Sequence, residues 1–139
     1  MISGFALAKP KTFGIGLIIG EPTGISLKYW LDRKYAIDGG LAWSLGGYFH
    51  VHADFLGHNR RLLRDINIKE GSFVLHYGIG ARVKASSRTI VGIRIPLGIN
   101  FIFRRLPFDI FFEIAPVVNL IPATTLDING GIGFRFYPF

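Results

Sequence analysis

The 139-residue chain has no cysteine and no glutamine, and its 9 acidic residues are outnumbered by 16 lysines and arginines. Without cysteine there is no disulfide framework, no thiolate metal centre and no cysteine nucleophile. No apolar run reaches the roughly eighteen residues that a membrane-spanning helix requires. Yet half of the residues are hydrophobic, and mean hydropathy is +0.38. A chain this apolar without a long apolar run must spread its apolar residues periodically.

The period is two. Eight segments alternate large apolar residues with small or polar ones: Phe13–Ile19, Ile25–Leu31, Ile37–Leu45, Phe49–Phe55, Phe73–Val83, Val91–Phe103, Phe108–Val118 and Leu126–Phe136. In the sixth, Val91, Ile93, Ile95, Leu97, Ile99, Phe101 and Phe103 alternate with Gly92, Arg94, Pro96, Gly98, Asn100 and Ile102. Period two predicts strands with the two sets on opposite faces. Every charged residue within these segments belongs to the second set.

Volume decides which face points outward. Side chains just fill the interior of an eight-stranded barrel. The Phe, Ile, Leu, Trp and Tyr of the first set are too bulky for that space, whereas the second set carries most of the glycines that fall within the segments. The apolar set must face out, as it does in transmembrane barrels. A soluble barrel would instead show an exterior rich in Lys, Glu, Gln and Thr. The expected fold class is all-β, an eight-stranded antiparallel transmembrane β-barrel over residues 12–139. Residues 1–11 form an N-terminal segment in which Ala6-Leu7-Ala8 fits the remnant of an export signal.

Placing the charges on this scheme resolves the net +7. Lys28, Arg82, Lys84, Arg94 and Arg135 fall on the lumen face with Asp38, Asp54, Asp109, Glu113 and Asp127, five against five. The excess lies in the connections at the end of the barrel that holds the chain's start: Lys9, Lys11, Arg33, Lys34, Arg60, Arg61, Arg64, Lys69, Arg104 and Arg105 against Asp32, Asp65 and Glu70. With both termini in the periplasm, this basic rim meets inner-leaflet headgroups or acidic envelope groups. Nucleic acid is not an expected partner, because the basic residues border an apolar belt with no groove or aromatic platform. The connections at the opposite rim are short, which weakens an adhesin or receptor role. The longest connection, His58–Gly71, is on the basic side, and its Leu62, Leu63 and Ile66 make it a candidate docking loop for an envelope protein.

Turn lengths suggest pairings in the lumen. A three-residue turn at Asp32–Lys34 sets Lys28 opposite Asp38 as a buried ion pair. A turn at Ser86–Arg88 sets Arg82 opposite Gly92 and Arg94 opposite Gly80, and a turn at Arg104–Pro107 sets Glu113 opposite Gly98. A close-packed lumen of paired charges follows, because an unpaired buried charge costs several kcal/mol. Pro96 then faces Ala115 next to Pro116, where a bulge is expected. A polar cluster of Ser44, His50, His52 and His76 remains, with Ser44 opposite His50 if the turn is Gly46–Tyr48. Ser, two His and Asp54 could support acyl transfer. No strained nucleophile turn and no third metal ligand at fixed spacing accompanies them, so neither catalysis nor a metal or other cofactor is expected.

The segments GIGLIIGEPTGISLKYWL, YAIDGGLAWS, YGIGARVK, RIPLGINFIF, PFDIFFEIAPVVNL and LDINGGIGFRFYPF resemble a family of small bacterial outer-membrane β-barrel proteins, similar in architecture to the eight-stranded OmpA and OmpX type. The resemblance implies an outer-membrane location and lipid contact. It also implies insertion by the barrel assembly machinery, which reads a terminal aromatic strand. Ile132, Phe134 and Phe136 supply that alternation, and Pro138 shifts Phe139 out of its register. No catalytic residue carries over. The expected role is structural, or assembly and partner binding, with a plugged lumen. An outer-membrane lipid-modifying enzyme and a subunit of a larger envelope complex are the alternatives.

Overall fold

The structure is a computed structural model, and it describes residues 12–21, 23–43 and 48–137. Its strands are β1 (Phe13–Glu21), β2 (Gly24–Trp30), β3 (Tyr35–Trp43), β4 (Phe49–Asn59), β5 (Gly71–Ala85), β6 (Thr89–Arg94), β7 (Leu97–Phe103), β8 (Phe108–Ile121) and β9 (Thr125–Phe136), with one 3-10 turn at Arg64–Ile66. The strands pair antiparallel with their neighbours around the ring, and β1 pairs with β9 to close it. The segments β6 and β7 lie end to end between β5 and β8, so eight strand positions surround the lumen.

The inside-out arrangement is observed directly. Residues of the apolar set stand on the outer surface, among them Ile19 at 72% and Leu126 at 81% exposure. Most of the described buried polar residues point inward. Strands form here because the alternation lets each residue satisfy its backbone in the ladder while its side chain stands either on the outer surface or in the lumen. A closed ring leaves no unpaired edge, the condition for strands to cross a bilayer. Glycine makes room where long side chains cross the lumen. A Cβ at Gly80, opposite Arg94, would collide with the carboxylate of Asp54 and the carbonyl of Ala53.

Three of the expected hairpin registers are present: Lys28 opposite Asp38, Arg82 opposite Gly92 with Arg94 opposite Gly80, and Gly98 opposite Glu113. Two expectations are corrected. The bulge is not at the prolines. Pro96 breaks the sixth segment into β6 and β7, but pairing with β8 resumes in the same register beyond it. Ile95 still donates to the Pro116 carbonyl, and Gly78 donates to that of Pro96. A proline lacks only a donor, and the neighbouring ladder bonds absorb that loss. The irregularity falls instead between Val91 and Gly92, where Val91 pairs with Ile121 and Gly92 with Asn119.

The second correction is at β3–β4, where Trp43 pairs with Phe49 and Ala42 with His50. The connection is therefore two residues longer than the expected turn. Ala42, not Ser44, is the ladder partner of His50, and Ser44 itself lies outside the described residues.

Candidate functional site

The lumen holds the densest chemistry. Lys28, Asp38, Asp54, Arg82, Arg94, Asp109, Glu113 and Arg135 are all buried, each 4% exposed or less. Arg94 is the hub, with Nε 3.1 Å from Asp54 and Nη2 2.7 Å from Glu113. His76 reaches the same Glu113 at 3.0 Å and accepts from the Asn100 amide on its other ring nitrogen. Arg135 lies 3.3 Å from Asp38 and 3.9 Å from Asp109, donates from Nε to Ser26, and stacks on the Phe111 ring. Such contacts offset the large desolvation cost of burying ions only when several partners converge.

The expected direct pair of Lys28 with Asp38 is not how these groups are used. They face each other in register, but the Lys28 ammonium donates to His58 Nε2 at 2.8 Å, and Asp38 is engaged by Arg135. His58, read from sequence as the start of a loop, is a buried lumen residue because β4 continues to Asn59. Its other ring nitrogen donates to the Lys34 carbonyl.

Neither is the charge balance of the interior the expected five against five. Lys84 is only half buried and sits over the Tyr48 ring, and Asp127 has a 41% exposed side chain held by Arg82 at 2.8 Å. The fully buried groups are four against four, Lys28, Arg82, Arg94 and Arg135 with Asp38, Asp54, Asp109 and Glu113.

Of the candidate polar cluster, His50 and His76 are buried and His52 is nearly so. His50 and His52 meet edge to face, with 5.7 Å between ring centres. His76 belongs to the Glu113 group instead. Nothing among the described residues assembles the acyl-transfer arrangement that Ser44 opposite His50 would have begun.

The end of the lumen at which β1 starts and β9 finishes is closed in part by Tyr137, which sequence reading passed over. Tyr137 continues the inward register one step beyond β9. Its hydroxyl donates to Asp109 at 2.6 Å, and its ring lies against the bare face of Gly14. Trp30, Ala36 and Tyr137 form the buried apolar cluster there. The inward periodicity of Asn129, Gly131, Gly133 and Arg135 was the signal for Tyr137.

The rim at this end carries the charge. Arg33, Lys34, Arg61, Arg64, Lys69, Arg104 and Arg105 are exposed, and Arg60 is half buried, its guanidinium over the Trp30 ring and donating to the Arg33 carbonyl. Burial, with the charge of Arg33 close by, lowers the Arg60 pKa from its ordinary value. Asp32 accepts the N–H groups of Lys34 and Tyr35, and these bonds hold its carboxyl below the usual carboxylate range. The long loop is ordered by side-chain caps. Asn59 accepts from the backbone of Arg61 and Leu62, and Asn67 from that of Phe73. Between the basic residues Leu62, Ile66, Ile68 and Leu106 are each at least half exposed.

A solved structure shares this architecture. The N-terminal β-barrel domain of Pseudomonas aeruginosa OprF matches with a TM-score of 0.61 over 92% of this chain and 98% of that one, at 13% identity. The fold is that of a small OmpA-type barrel. At that identity the likeness concerns fold alone. No protein-family model matches the chain, and no curated protein sequence does.

Proposed function

We propose that the chain is an integral protein of a bacterial outer membrane whose lumen is plugged by its own side chains and which acts through its basic rim, binding an envelope partner at the 60–70 loop. The observation that carries this reading is the segregation of charge and exposed apolar surface. Eight lysines and arginines stand at one rim against Asp32, Asp65 and Glu70, and Leu62, Ile66 and Ile68 project among them. A basic surface with apolar residues at its centre suits a partner with an acidic collar around an apolar contact. The opposite rim offers only short connections, so the long loop is the surface with most to offer. The fold's likeness to an outer-membrane barrel domain supports the location. A lipid-modifying activity draws no support from the register, which sets His50 opposite Ala42.

The test is site-specific photo-crosslinking from Leu62 in native membranes. One dominant adduct is expected, and it is lost when Arg61 and Arg64 are both changed to Glu. Crosslinks to lipid alone, or a protein adduct indifferent to those charges, would count against the reading.

A further inference from the structure

We propose that Asp38, His52 and Asp54 form a binding site for one divalent transition-metal ion within the barrel wall, a reading independent of what binds the rim. Asp38 on β3 and Asp54 on β4 are directly opposite each other, and His52 lies two residues from Asp54 on the same face. One donor atom from each of the three lies within 4.8 Å of the other two. A small side-chain movement would bring them to the roughly 2.0–2.2 Å that Zn2+ takes with imidazole and carboxylate.

The arginines nearby do not occupy the site. Arg94 approaches Asp54 at Oδ1, and Arg135 approaches Asp38 at Oδ2. No described residue outside the cluster donates to Asp38 Oδ1 or Asp54 Oδ2, though both carboxylates are at least 97% buried, and His52 Nδ1 is likewise buried without a donor or acceptor. Buried polar atoms in folded proteins find partners, and here the open carboxylate oxygens stand beside the His52 imidazole, whose Nε2 is 3.8 Å from Asp54 Oδ2. Asp38 accepts from Arg135 at one oxygen, and Asp54 has Arg94 at ion-pair distance from one oxygen; in both the other oxygen is left open, and such outer partners orient a metal's ligands.

Charge points the same way. Two carboxylates face each other directly across the β3–β4 ladder, and a divalent cation between them would offset their repulsion. A cavity of about 10 Å³, lined by Gly40, Ala42, His52, Arg94, Glu113 and Asn129, adjoins the cluster. It has room for one water-sized ligand. One imidazole, two carboxylates and one water make a four-coordinate set suited to Zn2+ and also accepted by Co2+.

The experiment uses the full chain without a histidine tag, refolded into detergent micelles and stripped with EDTA. Calorimetric titration with Zn2+ is expected to give one ion per chain, and Co2+ to produce visible absorption bands of a four-coordinate site. His52→Gln and Asp38→Asn, each shown by circular dichroism to keep the strand signal, should weaken Zn2+ binding at least tenfold and abolish the Co2+ bands. Arg61→Glu, far from the cluster, should leave both unchanged. Absence of binding by the unmodified chain would overturn the proposal and leave a proton shared between Asp38 and Asp54 as the means of relieving their repulsion. Binding unaffected by both ligand substitutions would overturn it equally.

Discussion

Replacing Arg94 with methionine tests whether the lumen is held by convergent charge. The side chain is 1% exposed and touches two carboxylates, at 3.1 and 2.7 Å. Methionine keeps much of the length and removes the charge, leaving Asp54 and Glu113 buried without the cation they share. Breaking a buried pair by deleting one partner costs about 3–5 kcal/mol, because the other charge stays buried. Glu113→Gln alone also weakens the His76 contact at 3.0 Å. The double variant removes a cation and an anion together, so its cost should fall short of the sum by a coupling energy of about 0.5–3 kcal/mol. Urea unfolding in detergent, followed by tryptophan fluorescence, reads all three values. A loss below about 1 kcal/mol for Arg94→Met, or strict additivity, would refute the idea that these groups stabilise one another.

Other outcomes follow from the same geometry. Ile95 and Phe112, each 48% exposed on the outer face, should block membrane insertion when changed singly to Arg, at about 2–4 kcal/mol near mid-bilayer; normal yields of folded barrel in lipid vesicles would contradict the outward assignment. Tyr137→Phe removes the hydroxyl donor to Asp109 and should cost about 1.5–3 kcal/mol, as for hydrogen bonds to charged groups, measured by the same urea titration. Asp32 has its folded-state pKa lowered by two backbone N–H bonds, so its stabilising effect is present above the unfolded value of about 3.9 and is lost as pH falls through the lower folded value. Thermal melts of Asp32→Ala between about pH 2 and 6 should therefore show a shallower acid limb than the unmodified protein, and identical limbs would rule the turn contact out.

The outward face and closure were legible in sequence because volume and period leave one solution. Bulky side chains at every second position cannot fit inside eight strands, and a one-residue slip would turn each of them inward. The short hairpins were legible too, since three- and four-residue turns fix register within narrow limits. The β3–β4 hairpin was not, because Gly46-Gly47 invites a tighter turn than the chain makes. That two-residue difference matters most for the lumen. With Ser44 opposite His50, Asp38 would face Leu56, and the meeting of Asp38, His52 and Asp54 is invisible. The partners of long side chains were also beyond reach. Lys28 passes over its cross-strand neighbour Asp38 to reach His58 on β4, and Arg135 on β9 reaches Asp38 on β3, contacts that no ladder pairing predicts.

The central claim is a membrane-facing barrel whose polar interior is filled by its own side chains. Single-channel recording from the purified full chain in a planar bilayer tests it most directly. Opening a continuous water path would require Arg94, Arg135 and Lys28 to leave partners that have no replacement in so narrow a tube. No steady conductance is therefore expected, and Arg94→Met, which empties the centre, should raise the frequency of brief openings. A stable porin-like open level in the unmodified protein would contradict the account.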